Sequence, residues 1–489
     1  MNNMAFCVHG HFYQPPREDP LTGEIPIEPG AAPYLNWNER INAQSYRPNA
    51  LLGNFERISF NIGPTLIEWM EKHDPETLGL IIEQERRNCE KYGVGNGMAQ
   101  SYNHTILPLA KLHDKITQVR WGIANFIHHF GHAPQGLWLP ETAADNETLQ
   151  VLADCGIEFT ILAPWQAEQP LNKAPFDPAQ PYLVPLDGGR QITVFFYNQD
   201  LSTRVSFDPG ATVNADRFVT EALLPKYRAH KGTVIEPQLV LVASDGELYG
   251  HHQPFRDKFL AYLMDGALGQ TTIDITYPAL WMRRQPATHE ITIRQPSSWS
   301  CHHGVTRWAG DCGCTANNSW KSPLRQALNT LADAIDEQYL CVISKYIDAG
   351  DDPWELRHRY IHVMLGEQTL NELAEAALKR PVDDAGLQQL NALLLAQFER
   401  QRMFTSCGWF FDDFDRIEPR NNVAYAAQAV LYTQLATGVN LTSLAVSALC
   451  DVRSTRSGLR ADEVFMRHID RTREWQGHQV FDTPAVPDC

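Results

Sequence analysis

Leu239–Gln253, LVLVASDGELYGHHQ, opens with an apolar, partly β-branched run that reads as a buried strand. It then breaks into Ser244, Asp245, Gly246, Glu247, Tyr249, Gly250, His251 and His252. Two carboxylates and two imidazoles at the carboxyl end of a strand make a poor core and a plausible reaction centre. A polar loop with Asp245 as the N-cap of a following helix is the plainer reading. The density of ionisable groups favours function, because active sites of α/β barrels lie where strands end.

Working outward, the same pattern recurs. Met4–Val8 is a short apolar run followed by HGHFYQPPRED, which brings His9, His11, Gln14, Arg17 and Glu18 to another strand end. Side chains repeat every second residue on a strand, so His9 and His11 point to one side, a geometry suited to a metal or a sugar hydroxyl. Ile58–Ile62 predicts a strand, and Pro64 fits the first turn of a helix. Gly136–Glu141, GLWLPE, ends a short strand in Pro140 and Glu141 ahead of a helix over Ala143–Cys155. Phe159–Ala163 and Ile192–Tyr197 predict further strands, the latter followed by Asp200, Ser202 and Arg204. Helical periodicity over 114–130 separates two of these units. Short strands alternating with helices predict an α/β fold of parallel βα units, closed or nearly closed into a barrel. An open doubly wound sheet is the alternative, but no glycine-rich phosphate fingerprint follows the first strand.

Residues 20–48 are rich in Pro, Gly and Asn and read as a long loop over the barrel mouth. Residues 296–321, PSSWSCHHGVTRWAGDCGCTANNSWK, are dense in Trp, His and Cys. Beyond them Leu324, Leu328, Leu331, Ile335 and Tyr339 mark a long amphipathic helix, and helical patterns follow at 355–379, 385–404 and 420–437. The division that results is a barrel over 1–295, a Trp/Cys-rich connecting segment over 296–320 and a helical domain over 321–489. Phe404–Asp413, FTSCGWFFDD, reads either as an apolar corner between helices or as a loop reaching back to the catalytic mouth. Residues 438–489 are weakly periodic.

A chain of 489 residues needs more than one core. Its formal charge of -17, with no basic stripe, excludes nucleic acid and anionic membranes as expected partners. No apolar run has membrane-spanning length and no signal pattern opens the chain, so a cytoplasmic protein is expected. Among the ten cysteines, Cys301, Cys312 and Cys314 cluster with His302 and His303. They read either as ligands for a soft metal such as zinc or as packed, site-lining thiols.

Two carboxylates from different strand ends, Glu141 and Asp245, suit glycosidic bond chemistry. One attacks the anomeric carbon while the other protonates the leaving oxygen; in a retaining enzyme they lie ~5 to 5.5 Å apart. Burial or a neighbour such as Glu247 keeps the acid protonated near neutral pH. Trp138, Trp299 and Trp308 are candidate stacking platforms for sugar rings.

Taken together, these motifs resemble glycoside hydrolase family 57, the retaining, α-glucan-active group of amylases, 4-α-glucanotransferases and branching enzymes. The resemblance rests on His9, His11, Gln14 and Pro15, with Phe12 and Tyr13 intervening; on His104 in YNHTILPL; on GLWLPE; on Asp245, Glu247, Gly250 and His251; and on FTSCGWFFDD. It covers about residues 1 to 435. It implies a distorted (β/α)7 barrel with a C-terminal helical domain, Glu141 as nucleophile, Asp245 as acid/base, and no metal cofactor. It implies substrate contacts from His9, His11, Gln14, His104, Trp138, Arg204, Glu247, His251, Trp299, His302, Trp308, Trp409 and Asp412, on an α-glucan or oligosaccharide. SSWSCHHGVTRW and DCGC set the chain apart from the amylases as a separate branch. Two rival readings stand beside it. One is a metal-dependent deacetylase or α-mannosidase-like hydrolase using His9, His11, Asp245 and His251; the other is a non-catalytic carbohydrate-binding protein.

Overall fold

The structure, a computed structural model, describes residues 3–227 and 236–476. It divides into two compact units. The first comprises residues 1–16, 27–102 and 125–302; the second comprises 17–26, 103–124 and 303–489.

The first unit is built on seven strands: β1 Met4–Phe12, β2 Ser59–Ile62, β3 Gly97–Gln100, β4 Leu137–Trp138, β5 Phe159–Leu162, β6 Gln191–Phe196 and β7 Gln238–Asp245. Strands β7, β1, β2, β3 and β4 pair in that order, all parallel. A parallel bridge between Gly136 and Phe159 carries the ring to β5, which pairs parallel with β6. Asn198, just past β6, donates its N–H to Leu241 O of β7 at 2.6 Å and closes the ring. This is the expected (β/α)7 barrel. Its distortion lies at β6, whose outer edge pairs antiparallel with Tyr182–Pro185. His289–Ile293 continues that side sheet.

Alternation on the strands decides what fills the ring. Ala5 and Cys7 of β1, Leu239, Leu241 and Ala243 of β7, Ile161 of β5 and Phe195 of β6 join Trp138 and Met98 in one core cluster. The next positions on the same sides of β1 and β7 are His9, His11 and Asp245. The barrel is thus apolar below and ionisable at the carboxyl ends.

Two expectations are corrected. Residues 20–48 are not all loop. Asn36 caps a helix from Trp37, its side chain accepting from Glu39 N at 3.0 Å, and helical structure runs on to Leu51. Buried Ile41, Tyr46 and Ala50 anchor it, at spacings that Pro and Asn obscure. Residues 438–476 carry helices Thr442–Leu449 and Ala461–Gln476. In the second of these Ala461, Phe465 and Ile469 are fully buried, too sparse an apolar pattern among charges to stand out. Residues 477–489 lie outside the described residues. The helical pattern at 355–379 is three short helices, Glu355–Arg359, Ile361–Met364 and Leu370–Ala377. A capping box at Thr369 and Glu372 starts the last of them.

The second unit also takes in Arg17–Pro26 and Asn103–Ala124, which a linear division at 295 assigns to the barrel. Its core contains an ion network. Arg400 contacts Asp114 Oδ2 at 2.8 Å and Asp336 Oδ2 at 2.8 Å, and Arg357 contacts Asp114 Oδ1 at 3.1 Å. Burial alone would raise both carboxyls, but the Arg400 and Arg357 charges outweigh it and hold Asp114 and Asp336 below the ordinary 3.8. A depressed folded-state value means that this contribution is present above pH 3.8 and is lost as pH falls through the lower folded values. Asp336→Asn leaves Arg400 short of a buried counter-charge, at a cost of about 3 kcal/mol or more. Urea unfolding at neutral pH is expected to show that loss; an unchanged midpoint would mean the network contributes nothing net.

Candidate active site

His9 and His11 are buried side by side at the end of β1. Both rings stack on Trp138 of β4, with centroids 4.6 and 5.2 Å away. His9 Nδ1 lies 2.9 Å from Ser59 Oγ and its Nε2 3.2 Å from Asn61 Oδ1. Asn61 Nδ2 lies 3.0 Å from His11 Nδ1 and donates to Gln100 Oε1 at 2.7 Å. Burial lowers the pKa of His9 to about 3, helped by the neighbouring His11, and that of His11 to about 4. Both imidazoles are therefore neutral at physiological pH.

Glu141 stands two residues beyond Leu139 on a strained turn. Its φ is 58° and that of Thr142 is 48°, left-handed values that non-glycine residues adopt at a cost of order 1–3 kcal/mol each. The turn is held by Gln166, which accepts from Thr142 Oγ1 and donates to Thr142 O, both at 2.8 Å. Reciprocal backbone bonds between Ala144 and Ser297 add to the hold. The carboxylate itself accepts two hydrogen bonds on Oε2, from Trp299 Nε1 at 2.9 Å and from Ser300 Oγ at 2.6 Å. Two donors on one oxygen favour the ionised form.

Asp245 ends β7 in register with His11. Its surface is open to the mouth of the barrel, yet the surrounding walls displace bulk water. That desolvation, with the charge of Glu141, raises its pKa to about 7. Glu247 is buried on the turn beyond it; Tyr46 OH donates to its Oε1 at 2.6 Å and Tyr13 N at 3.1 Å. Burial and the Asp245 charge still push Glu247 up to about 8. Gln14 donates to Tyr46 OH at 3.0 Å and so joins the same chain of contacts. His251 lies 2.7 Å from Gln44 Oε1, and burial lowers its pKa to about 4. Glycine is required here: at Gly250, φ is +134° and a Cβ would lie 2.1 Å from Gln44 O.

The structure thus brings His9, His11, Gln14, Trp138, Glu141, Asp245, Glu247, His251 and Trp299 to one end of the barrel. Trp138 is fully enclosed beneath the histidines, so it supports the site rather than offering an open stacking face. Trp299 is half-buried, and its ring meets that of Trp138 edge-on with centroids 5.2 Å apart. Arg204 is not part of this group; it is exposed on the helix Gln199–Phe207 and pairs with Asp200 at 3.0 Å. His302 is exposed. The remaining candidates belong to the second unit. His104, with φ 53°, is buried there with Nδ1 2.6 Å from Ser406 Oγ. Trp308 and Trp409 are completely buried, which corrects their expected role as sugar contacts. Arg325 covers the Trp409 ring at 3.9 Å and donates to Trp308 O at 2.8 Å. Asp412 pairs with Arg456 at 3.5 Å.

Several contributors escape a reading of motifs. Ser59, Asn61 and Gln100 are polar residues on short strands whose alternation was the available signal. Ser300 adjoins Trp299, and Tyr46 lies on the helical stretch that reads as loop. Among the described residues, the groups whose ligand atoms converge within 4.8 Å do not include His9, His11, Asp245 or His251.

Residues 26–294 match the sequence profile of glycosyl hydrolase family 57, and residues 317–481 match a domain of unknown function, DUF3536. A 4-alpha-glucanotransferase of Thermococcus litoralis is 27% identical over 171 residues, 34% of this chain and 24% of that protein. An alpha-amylase of Pyrococcus horikoshii is 25% identical over 249 residues, 51% of this chain and 34% of that protein. The chain therefore matches only about a quarter to a third of the length of these relatives. In fold it is similar to an exo-type maltose-forming amylase from Pyrococcus sp. ST04, with TM-score 0.71 at 15% identity over 96% of this chain and 88% of that one. A GH57-type branching enzyme from Pyrococcus horikoshii aligns over 99% of this chain and 98% of its own, with TM-score 0.58 at 14% identity. With more than half of its residues matched to one profile and a barrel of the same build, the chain belongs to glycosyl hydrolase family 57.

Proposed function

We propose that this protein is a retaining glycoside hydrolase or transglycosylase acting on α-glucans, with Glu141 as nucleophile and Asp245 as acid/base. The observation that carries the proposal is the unequal treatment of two carboxyls that sense each other. Glu141 accepts two hydrogen bonds on one oxygen, while desolvation and the Glu141 charge keep Asp245 protonated up to about pH 7. In the first step Glu141 attacks the anomeric carbon, the glycosidic C–O bond breaks, and the Asp245 proton passes to the leaving oxygen. In the second, Asp245 takes a proton from water or from a sugar hydroxyl, which attacks the glycosyl-enzyme and releases Glu141. The neutral His9 and His11 suit sugar hydroxyls, since no ionic desolvation accompanies their burial under substrate. The half-buried ring of Trp299 suits an apolar sugar face. The named activities of the relatives support an α-glucan as substrate. They are equally compatible with hydrolysis and with transfer, which differ in the acceptor that reaches the intermediate first.

Incubation with maltooligosaccharides and glycogen, with products resolved by size and anomeric form, tests the activity. Retained anomeric configuration is expected; larger products would identify transfer, new α-1,6 links branching, and reducing ends alone hydrolysis. Glu141→Gln is expected to lower turnover on the order of a thousandfold or more. Near-normal turnover by that variant, or binding with no turnover by the parent, would end the proposal.

The acid form of Asp245 is the working one, so kcat/KM is expected to fall as pH rises through about 7. Glu141→Gln removes the charge that helps hold the proton on Asp245. Carboxyl titration by difference infrared spectroscopy, with Asp245→Asn to assign the band, is therefore expected to show the Asp245 pKa lower in Glu141→Gln than in the parent. An unmoved value would mean that the two carboxyls do not interact.

A further inference from the structure

One cluster of metal-binding side chains plays no part in the chemistry above. In the second unit, His303, Cys312 and Cys314 present ligand atoms that lie within 4.8 Å of one another, with Cys314 Sγ 3.5 Å from His303 Nδ1. Cys301 stands two residues before His303 in the sequence, so the chain carries Cys-x-His and Cys-x-Cys eight residues apart. We propose that this segment is a zinc site, with His303, Cys312 and Cys314 as its protein ligands.

The chemistry of the donors selects the metal. Two sulfurs and one imidazole are a soft set of the kind that tetrahedral zinc takes; calcium and magnesium require oxygen. Tetrahedral bonds of about 2.3 Å to sulfur set ligand atoms on the order of 3.7 Å apart. The observed convergence is thus within about 1 Å of the bound arrangement. The backbone between the two downstream cysteines suits the task. Gly313 has φ +70° and open space where a Cβ would stand, so Cys-Gly-Cys reverses direction and presents both sulfurs to one side. The segment has a reason to need a clamp. Between His303 and the helix beginning at Lys321, the described structure contains one short turn of helix, Thr306–Trp308, and otherwise irregular chain. Binding replaces thiol protons by metal–sulfur bonds and involves no oxidation.

Two other groups of described residues are weaker candidates. Glu71, His128 and His129 are largely exposed, and Glu85 is already paired with His132 at 2.8 Å beside Cys89. Neither offers more than one sulfur.

The test uses the full chain, purified without a histidine tag or chelator and dialysed. Equimolar zinc by plasma mass spectrometry is expected, and cobalt exchanged for it should give the near-ultraviolet charge-transfer band of thiolate-bound cobalt. Cys312→Ser with Cys314→Ser should lose both. Should that variant fail to fold, Cys314→His, which keeps a ligand, should retain metal with an altered cobalt spectrum. Three results would overturn the site. One is no zinc and no cobalt band in the reduced parent chain; another is recovery of Cys312 or Cys314 in a disulfide by peptide mass spectrometry. The third is zinc undiminished in the double serine variant, which would place it at Glu85–Cys89–His132 or elsewhere. These readouts are of metal alone and stand apart from the assignment of Glu141 and Asp245.

Discussion

The parallel pairing of β1 with β7 runs from Met4 opposite Gln238 to His11 opposite Asp245 without a break in register. Everything at the mouth of the barrel depends on it. A shift of one residue would turn His9, His11 and Asp245 away from the interior and bring Val8, Gly10 and Ser244 in. Below the polar ends, Ala5, Cys7, Leu239, Leu241 and Ala243 fill the ring with apolar side chains. The first and last strands of the barrel thus end level, and their polar ends converge.

The opposite wall is fixed by different means. Strand β4 is only Leu137–Trp138, too short to hold Glu141 by ladder bonds. The chain instead turns through two left-handed residues, and the segment 297–300 is stitched to that turn by backbone bonds, by Gln166 and by the two donors on Glu141 Oε2. Strain of this kind persists only where the surroundings over-determine it, and here they hold the Glu141 carboxylate in one position. Trp138 links the walls: it stacks with both histidines and makes an edge-on contact with Trp299.

How far the sequence could be read follows from the same physics. Six of the seven barrel strands and Glu141, Asp245, His9 and His11 are legible because an apolar run followed at once by ionisable residues is a local pattern; β3, Gly97–Gln100, lies in a glycine-rich stretch and shows no such run. Tyr46 and Gln44 are not, because they reach Glu247 and His251 from some two hundred residues away on a helix whose buried positions are masked by Pro and Asn. Ser59, Asn61 and Gln100 are uncharged and sit on strands of four residues, too short for alternation to speak clearly. Trp308 and Trp409 mislead for the converse reason. A tryptophan in a polar-looking stretch resembles a sugar platform, yet here each is enclosed, with Arg325 lying against both. The composition of the second unit likewise conceals that Asn103–Ala124 contributes Asp114 to its core.

The core of the helical unit and the mouth of the barrel handle buried charge in opposite ways. In the helical unit Asp114, Asp336, Arg357 and Arg400 are all ionised and mutually compensated, an arrangement that holds partners in one geometry and leaves no proton to give. In the barrel no cation pairs with Asp245 or Glu247 among the ion pairs of the described residues. Their carboxyls are raised by burial and by neighbouring carboxylates, and His9 and His11 stay neutral beside them. An arginine in that cleft would stabilise the fold by pairing Asp245, and would drive its proton off below neutral pH. Leaving the carboxyls uncompensated sacrifices stability at the barrel mouth and keeps a transferable proton there, which a network like that of the helical unit does not hold.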